Sequence, residues 1–206
     1  MAQDIPTFCF VWDNASTDGT LEYLHDEAIS HHRSETNQGV SKGWNWSLDY
    51  LFETLKCDYV LVANNDIVLP SWIYRRLLWF NVPFVTGVSV DNLDTISREP
   101  DPTALTPGPD FSLFLIRRYA WDIIGPFNES MKLYASDNDF HARAHRAGIQ
   151  LFNANIPFYH DRSSTMKSCN PKERRILELQ ADADREVFKT IYGCQPWEPA
   201  YHELFK

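Results

Sequence analysis

Apolar residues fall in short runs along the chain, and their spacing alternates between that of strands and that of helices. Ile5 to Trp12 reads as a buried strand, and the polar stretch Asp13 to Thr20 feeds a helix through about Ala28. A short extended piece around His32 to Glu35 leads to Asn37-Gln38-Gly39. Trp44, Leu48, Leu51, Phe52 and Leu55 then recur at helical spacing, so a second strand and helix unit is expected. Tyr59 to Ala63 is the next strand, Pro70 suits the first turn of a helix carrying Leu77 and Leu78, and Pro83 to Val90 is a further strand. Phe111 to Ile116 is apolar, Arg118 to Ile124 is a short helix stopped by Gly125-Pro126, and Asp137 to Ala147 is a longer one stopped by Gly148. Gln150 to Asn153 and Phe158 to His160 add short strands. Asn170-Pro171-Lys172-Glu173 combines a cap, a proline at the first helical position and a returning Glu, which starts a helix running to about Tyr192. Its face of Ile176, Leu179, Ala183, Val187 and Ile191 is expected to pack on the domain, with a membrane-surface role as the alternative. The alternation predicts an α/β fold with a mainly parallel central sheet flanked by helices.

The chemistry-bearing residues sit at the ends of these elements. Asn64-Asn65-Asp66 closes the run Tyr59 to Ala63, which puts a carboxylate where a buried strand ends and a ligand crevice opens. A hard divalent cation takes such oxygen ligands, although an Asp in that place is as often a turn or cap residue. Asp137 and Asp139, next but one to each other at a helix entrance, point to different neighbours, one as a base and the other as an anchor for the loop. A helix cap is the plain alternative for Asp137, as a core or surface position is for His160. Arg143 is as well placed to pair with Asp139 as to touch a substrate. Trp44, Trp46, Trp72 and Trp121 are read as core residues in preference to stacking platforms for a ligand.

At 206 residues, 44% of them hydrophobic, the chain is long enough for one domain with a real core. A formal net charge of -9 leaves no basic stripe for a nucleic-acid backbone. No apolar run approaches the roughly 18 residues of a membrane span, and the start of the chain lacks a signal-peptide pattern, so a soluble, cytoplasmic chain is expected. Cys9, Cys57, Cys169 and Cys194 have no metal-type spacing and fit reduced thiols. Asp91 to Asp110, with four prolines, reads as a long loop and a candidate lid over a site.

Taken in order, these motifs resemble the family 2 glycosyltransferases, an inverting group with the GT-A fold. The resemblance runs from about Phe10 to Thr165. Val11-Trp12-Asp13-Asn14-Ala15-Ser16-Thr17-Asp18-Gly19-Thr20 is similar to the family's nucleotide loop, and Asn37-Gln38-Gly39 with Gly43 and Asn45 to its second stretch. Asn64-Asn65-Asp66 stands in the place of the DxD motif. Arg117-Arg118, Gly125-Pro126-Phe127-Asn128-Glu129 and Asp137-Asn138-Asp139 with Arg143 follow the acceptor-side order, and His160 falls where a histidine ligand is often found.

The resemblance implies a single glycosyltransferase domain with a nucleotide-binding half (1–90), an acceptor and catalytic half (91–165) and a C-terminal helix (170–193). It implies transfer of a sugar from a nucleotide-diphosphate donor, a UDP-sugar by preference, to a hydroxyl of a glycan, glycoprotein or other acceptor. Asp66 and His160 would hold the metal, Mn2+ or Mg2+, with the imidazole tilting the choice toward manganese. Asp13 would accept a hydrogen bond from uracil, Asn14, Asn37, Gly39 and Asn65 would border the donor, and Asp137 would be the general base. Three features depart from the family: the usual first strand and helix are lacking, Asn64 replaces a carboxylate, and Ser136 replaces an acidic residue. Hence a domain of a longer polypeptide and an inactive nucleotide-sugar-binding or scaffold domain are alternatives, with nucleotidyl transfer behind them.

Overall fold

The computed structural model describes residues 3–101, 104–161 and 169–206; the end of the family resemblance, at Thr165, and part of the long loop lie outside the described residues. The chain divides into two compact units, one of Met1–Pro6, Cys57–Gly125 and His141–Leu177 and one of Thr7–Lys56, Pro126–Phe140 and Glu178–Lys206.

The second unit begins with β1 (Phe10–Asp13), α1 (Thr20–Asp26), β2 (Ser30–Arg33) and α2 (Val40–Asp49), which runs on as a π turn over Tyr50–Thr54. β1 and β2 pair in parallel, as a strand, helix and strand unit should, with Asp13 opposite Arg33. β1 starts later than its apolar run predicts, because Pro6 to Cys9 are exposed and join no strand. α2 lies close on β1 at Gly43, where an added Cβ would stand 2.8 Å from the Trp12 ring. Trp12, His32 and Trp46 stack above it, with the His32 and Trp46 centroids 4.1 Å apart. Asn45, buried at 5% exposure, accepts from the Phe127 N–H and donates to the Phe127 carbonyl. It is a structural residue of α2.

The first unit holds β3 (Tyr59–Ala63), β4 (Ile67–Val68), α3 (Ile73–Trp79), β5 (Phe84–Val90), β6 (Leu113–Arg117), α4 (Arg118–Ile124) and β7 (Phe152–His160). Its five strands run in the order β3-β6-β5-β7-β4, and only β5 and β7 are parallel. The expected mainly parallel sheet is therefore corrected to a mixed one. A parallel return needs a crossover of a dozen or more residues, usually a helix. Between β5 and β6 the described chain offers one 3-10 turn, Leu93–Ile96, and a proline-rich loop, so β6 comes back antiparallel. That loop is tied to the sheet where Asp110 accepts from the N–H groups of Ser89 and Ser112, and where the Thr106 and Asn153 backbones bond each other.

α3 buries Trp72, Ile73 and Leu77 against Val85, Leu113, Leu115, Ile156 and Phe158. β7 is one strand where two were expected. Asn155 has a positive φ and Pro157 lacks an N–H, so the pattern breaks while Asn153 bridges the gap by donating to the Gly87 carbonyl and accepting from the Asn155 N–H.

α5 (Ser136–Arg146), α6 (Pro171–Tyr192) and α7 (Pro199–His202) complete the chain. Asn170 caps α6 by accepting from the N–H groups of Lys172 and Glu173, and Glu173 returns to the Asn170 N–H, the capping box that the residue order predicts. The buried face of α6 differs from the expected one. Ile176, Leu179 and Ile191 are about half exposed, and Ala181, Asp184 and Phe188 are buried.

Gly87 stands at the register shift between β5 and β7, where an added Cβ would meet the Ile156 carbonyl oxygen and the Phe158 ring at 2.8 Å. Since one obstacle is backbone, Gly87→Ala should cost about 1–3 kcal/mol, seen as a lower urea midpoint at an unchanged m-value.

Candidate functional site

In the first unit, Asn64, Asn65 and Asp66 form the turn between β3 and β4, with Asn65 exposed at its tip and Asp66 half-buried. The Asn64 N–H donates to the Ser112 carbonyl and the Asp161 N–H to the Asp66 carbonyl, so both ends of the turn are pinned. β4 pairs with the end of β7, Ile67 opposite His160. This register brings the His160 Nε2 to 3.2 Å from the Asp66 Oδ1. Two ligand atoms about 2.1 Å from an octahedral ion on neighbouring positions stand about 3 Å apart, so the pair fits a shared divalent cation. Among the described residues no group of three or more His, Cys, Asp or Glu side chains could hold a metal.

The second unit holds the remaining candidates: Asp13 at the end of β1, Asn14, Asn37 and Gly39 in the connections that follow β1 and β2, and Asp137 in α5. Asp13 ends β1 buried, its side chain closed to solvent. Its Oδ1 accepts from the Ser16 N–H at 2.8 Å, and its Oδ2 takes a charge-assisted hydrogen bond from Arg33. Burial acts to raise the Asp13 pKa, but the Ser16 hydrogen bonds and the Arg33 charge outweigh it and hold the carboxyl below its ordinary value. Arg33 was not among the expected site residues; the signal for it is the opposite charge across a parallel pair. Asn14 joins this loop to the next one. Its Oδ1 accepts from the Gln38 N–H at 2.7 Å and its Nδ2 donates to the Gly39 carbonyl. Asn37 is exposed and accepts from the Gly39 N–H. Gly39, at φ 86°, opens α2 in a place where an added Cβ would meet the Lys132 backbone at 2.8 Å.

Asp137 lies in the first turn of α5, half-buried, where helix N–H groups favour negative charge. The Asn138 N–H donates to its Oδ1 at 2.9 Å. Asp139 is buried and accepts from the Tyr192 hydroxyl at 2.9 Å. The two carboxylates thus have different neighbours, as their spacing predicts, and Asp139 is the anchor. Tyr201 exchanges hydrogen bonds with Asn138, donating to its carbonyl. Burial first, then the Asp137 and Asp139 charges, push this phenol up to about 12, so it stays an O–H donor at neutral pH. Arg143 donates to the Ile124 carbonyl at 2.6 Å, an anchor for α4. Of the tryptophans, Trp72 and Trp121 are buried, and Trp44 packs on Phe127.

No family model matches the chain. The low-salt glycan biosynthesis hexosyltransferase Agl10 of Haloferax volcanii is 24% identical over an alignment of 168 positions that covers 68% of this chain and 54% of that protein. The chain thus spans about half the length of this curated relative. Among solved structures, the mannosyltransferase PcManGT from Pyrobaculum calidifontis, in complex with GDP-Man and Mn2+, superposes with a TM-score of 0.55 at 14% identity, covering 98% of this chain and 76% of that one. TarS 1-349 of S. aureus gives 0.52 at 17% identity, covering 93% and 66%, and its complex with UDP gives 0.52 at 16%, covering 94% and 66%. The fold is the GT-A fold, an α/β architecture of strands flanked by helices. No helix among the described residues is long and apolar enough to cross a membrane.

Arg33→Met would leave the Asp13 carboxylate buried without its cation. Breaking a fully buried pair costs about 3–5 kcal/mol, and the partial exposure of Arg33 reduces the expected loss to about 1–2 kcal/mol at neutral pH. A lowered folded-state pKa supplies stability above the unfolded value of about 3.8 and loses it as pH falls through the folded value. The gap between wild type and variant in urea unfolding should therefore be full at pH 7 and shrink below about pH 3.8.

Proposed function

We propose that the chain is the catalytic domain of a metal-dependent, inverting glycosyltransferase of the family 2 type, transferring a hexose from a nucleoside-diphosphate donor to an acceptor hydroxyl. The observation that carries this reading is the meeting of Asp66 and His160 at 3.2 Å, at the end of a strand of a GT-A fold. It is supported by the Haloferax volcanii relative, a hexosyltransferase of glycan biosynthesis, and by the Pyrobaculum calidifontis neighbour with its GDP-Man and Mn2+.

In this reading Asp66 and His160 hold a divalent cation, manganese by preference because of the imidazole. When bound, it neutralises the charge that develops on the departing diphosphate. Asn65, exposed at the tip of the same turn, borders the donor. On the second unit, Asn14 and Asn37 fix the loop through Gly39, the residues that the family resemblance gives to the donor. UDP is the proposed donor nucleotide, by way of Asp13 and the uracil N–H. For that contact the Asp13 carboxylate has to exchange part of its Arg33 and Ser16 hydrogen bonding for the base. Asp137 takes the proton of the acceptor hydroxyl as its oxygen attacks the anomeric carbon from the side opposite the leaving diphosphate, which inverts that carbon.

The test is calorimetry with UDP and with GDP, each with and without Mn2+, followed by nucleotide release from UDP-hexoses and GDP-mannose. Binding should need Mn2+ and fall at least about tenfold in Asp66→Ala. Asp137→Asn should bind normally and lose about 10²–10⁴-fold in turnover. Metal-independent binding that Asp66→Ala leaves intact would overturn the metal pair. Wild-type binding without turnover of any donor would favour the inactive binding module.

A further inference from the structure

Asp184 is a fully buried carboxylate that the proposed chemistry does not use. It lies in the middle of α6 on the buried stripe between Ala181 and Phe188. Its Oδ1 accepts from the Lys132 N–H at 3.1 Å and from the Gln180 Nε2 at 2.7 Å. Its Oδ2 accepts from the N–H groups of Leu133 at 2.7 Å and Tyr134 at 3.0 Å. A carboxylate has about four lone-pair positions, so these four donors fill it. Three successive amides converging on one acceptor fix the backbone of the segment, and a buried charge is tolerated because every lone pair is answered.

The segment so fixed joins two of the proposed site elements. On one side the Lys132 carbonyl accepts from the Val40 N–H at 2.7 Å, the Met131 carbonyl accepts from the Ser41 hydroxyl at 2.6 Å, and Gly39 abuts the Lys132 backbone. These contacts set the start of α2, directly after the Asn37 to Gly39 loop. On the other side Ala135, at φ 65°, accepts from the Asp139 N–H and begins α5, which carries Asp137 in its first turn. One side chain on the C-terminal helix therefore fixes the approach to both N-termini.

We propose that Asp184 is a positioning residue for Asp137, holding the 132–135 segment so that the base keeps its place relative to the Gly39 loop; this rests on the glycosyltransferase reading above. Asp184→Asn supplies one oxygen for donors that now share two, and turns an N–H pair toward the others. The Gly39 loop is held by Asn14 and Asn37 as well as by the segment, so loosening the segment displaces the base more than the donor loop and the effect falls mainly on kcat. A displacement of about 1 Å can cost about 10²-fold in rate.

The experiment compares wild type, Asp184→Asn and the milder Gln180→Met, which removes a single donor to the same carboxylate. It measures amide hydrogen exchange over residues 131–139, Mn2+-dependent UDP binding by calorimetry, and kcat and KM for a UDP-hexose that the wild type turns over. For Asp184→Asn the expected result is at least about tenfold faster exchange, a kcat lowered by about 10²-fold, and donor KM and UDP affinity within about threefold of wild type. Should Asp184→Asn fail to fold, Gln180→Met is expected to show a kcat reduction of about threefold with KM unchanged. Faster exchange with a wild-type kcat would reduce Asp184 to a structural role, and unchanged exchange would overturn the clamp itself. A wild-type chain that turns over no donor would overturn the glycosyltransferase reading, and this proposal with it. An active wild type with an equally active variant would overturn this proposal alone.

Discussion

The short ladder between β4 and β7 is the constraint on which the Asp66–His160 pair depends. Two residues of β4 pair with the last two of β7, and the Asp161 N–H closes the ladder onto the Asp66 carbonyl. Side chains alternate across a strand, so a slip of one residue would send the His160 ring to the opposite face and dissolve the pair. Such a short ladder has little register information of its own. It is fixed by the neighbouring parallel pairing of β5 with β7 and by Ile156 and Phe158, which lock β7 into the core under α3. The polar end of the sheet is thus placed by apolar packing behind it.

In the second unit a different device prevails. Its loops are held by side chains that answer backbone groups: Asn14 on Gln38 and Gly39, Asn37 on Gly39, Asn45 on Phe127, Asp184 on three amides. Such bonds give a loop fixed geometry where no ladder or helix is available. Several residues that look like ligand contacts in the sequence act at least in part as scaffold. Asn14 shows this most clearly, since both ends of its amide are engaged with the neighbouring loop.

Much of this was legible in the sequence wherever local chemistry bounds an element. β3 and α4 occupy the expected residues because an apolar run ends in polar turn residues in one case and in Gly125-Pro126 in the other. The α6 cap was legible for the same reason. What depends on distant partners was not. The direction of β6 is decided by the lack of a crossover helix in the described part of its loop, and the continuity of β7 by an asparagine bridge over an irregular pairing. The buried face of α6 escaped because hydropathy puts a carboxylate on the wet side, whereas Asp184 is buried where three amides need an acceptor. The order of Asp66 and His160 could be read, but their distance is a property of strand register, which no spacing in the sequence encodes.

The claim that Asp66 and His160 share a divalent cation is tested most directly by electron spin-echo envelope modulation on Mn2+ bound to the chain together with UDP. The account predicts nitrogen-14 modulation from a directly coordinated imidazole, present in wild type and absent in His160→Ala. Bound Mn2+ with no imidazole modulation, or with modulation that persists in His160→Ala, would contradict it.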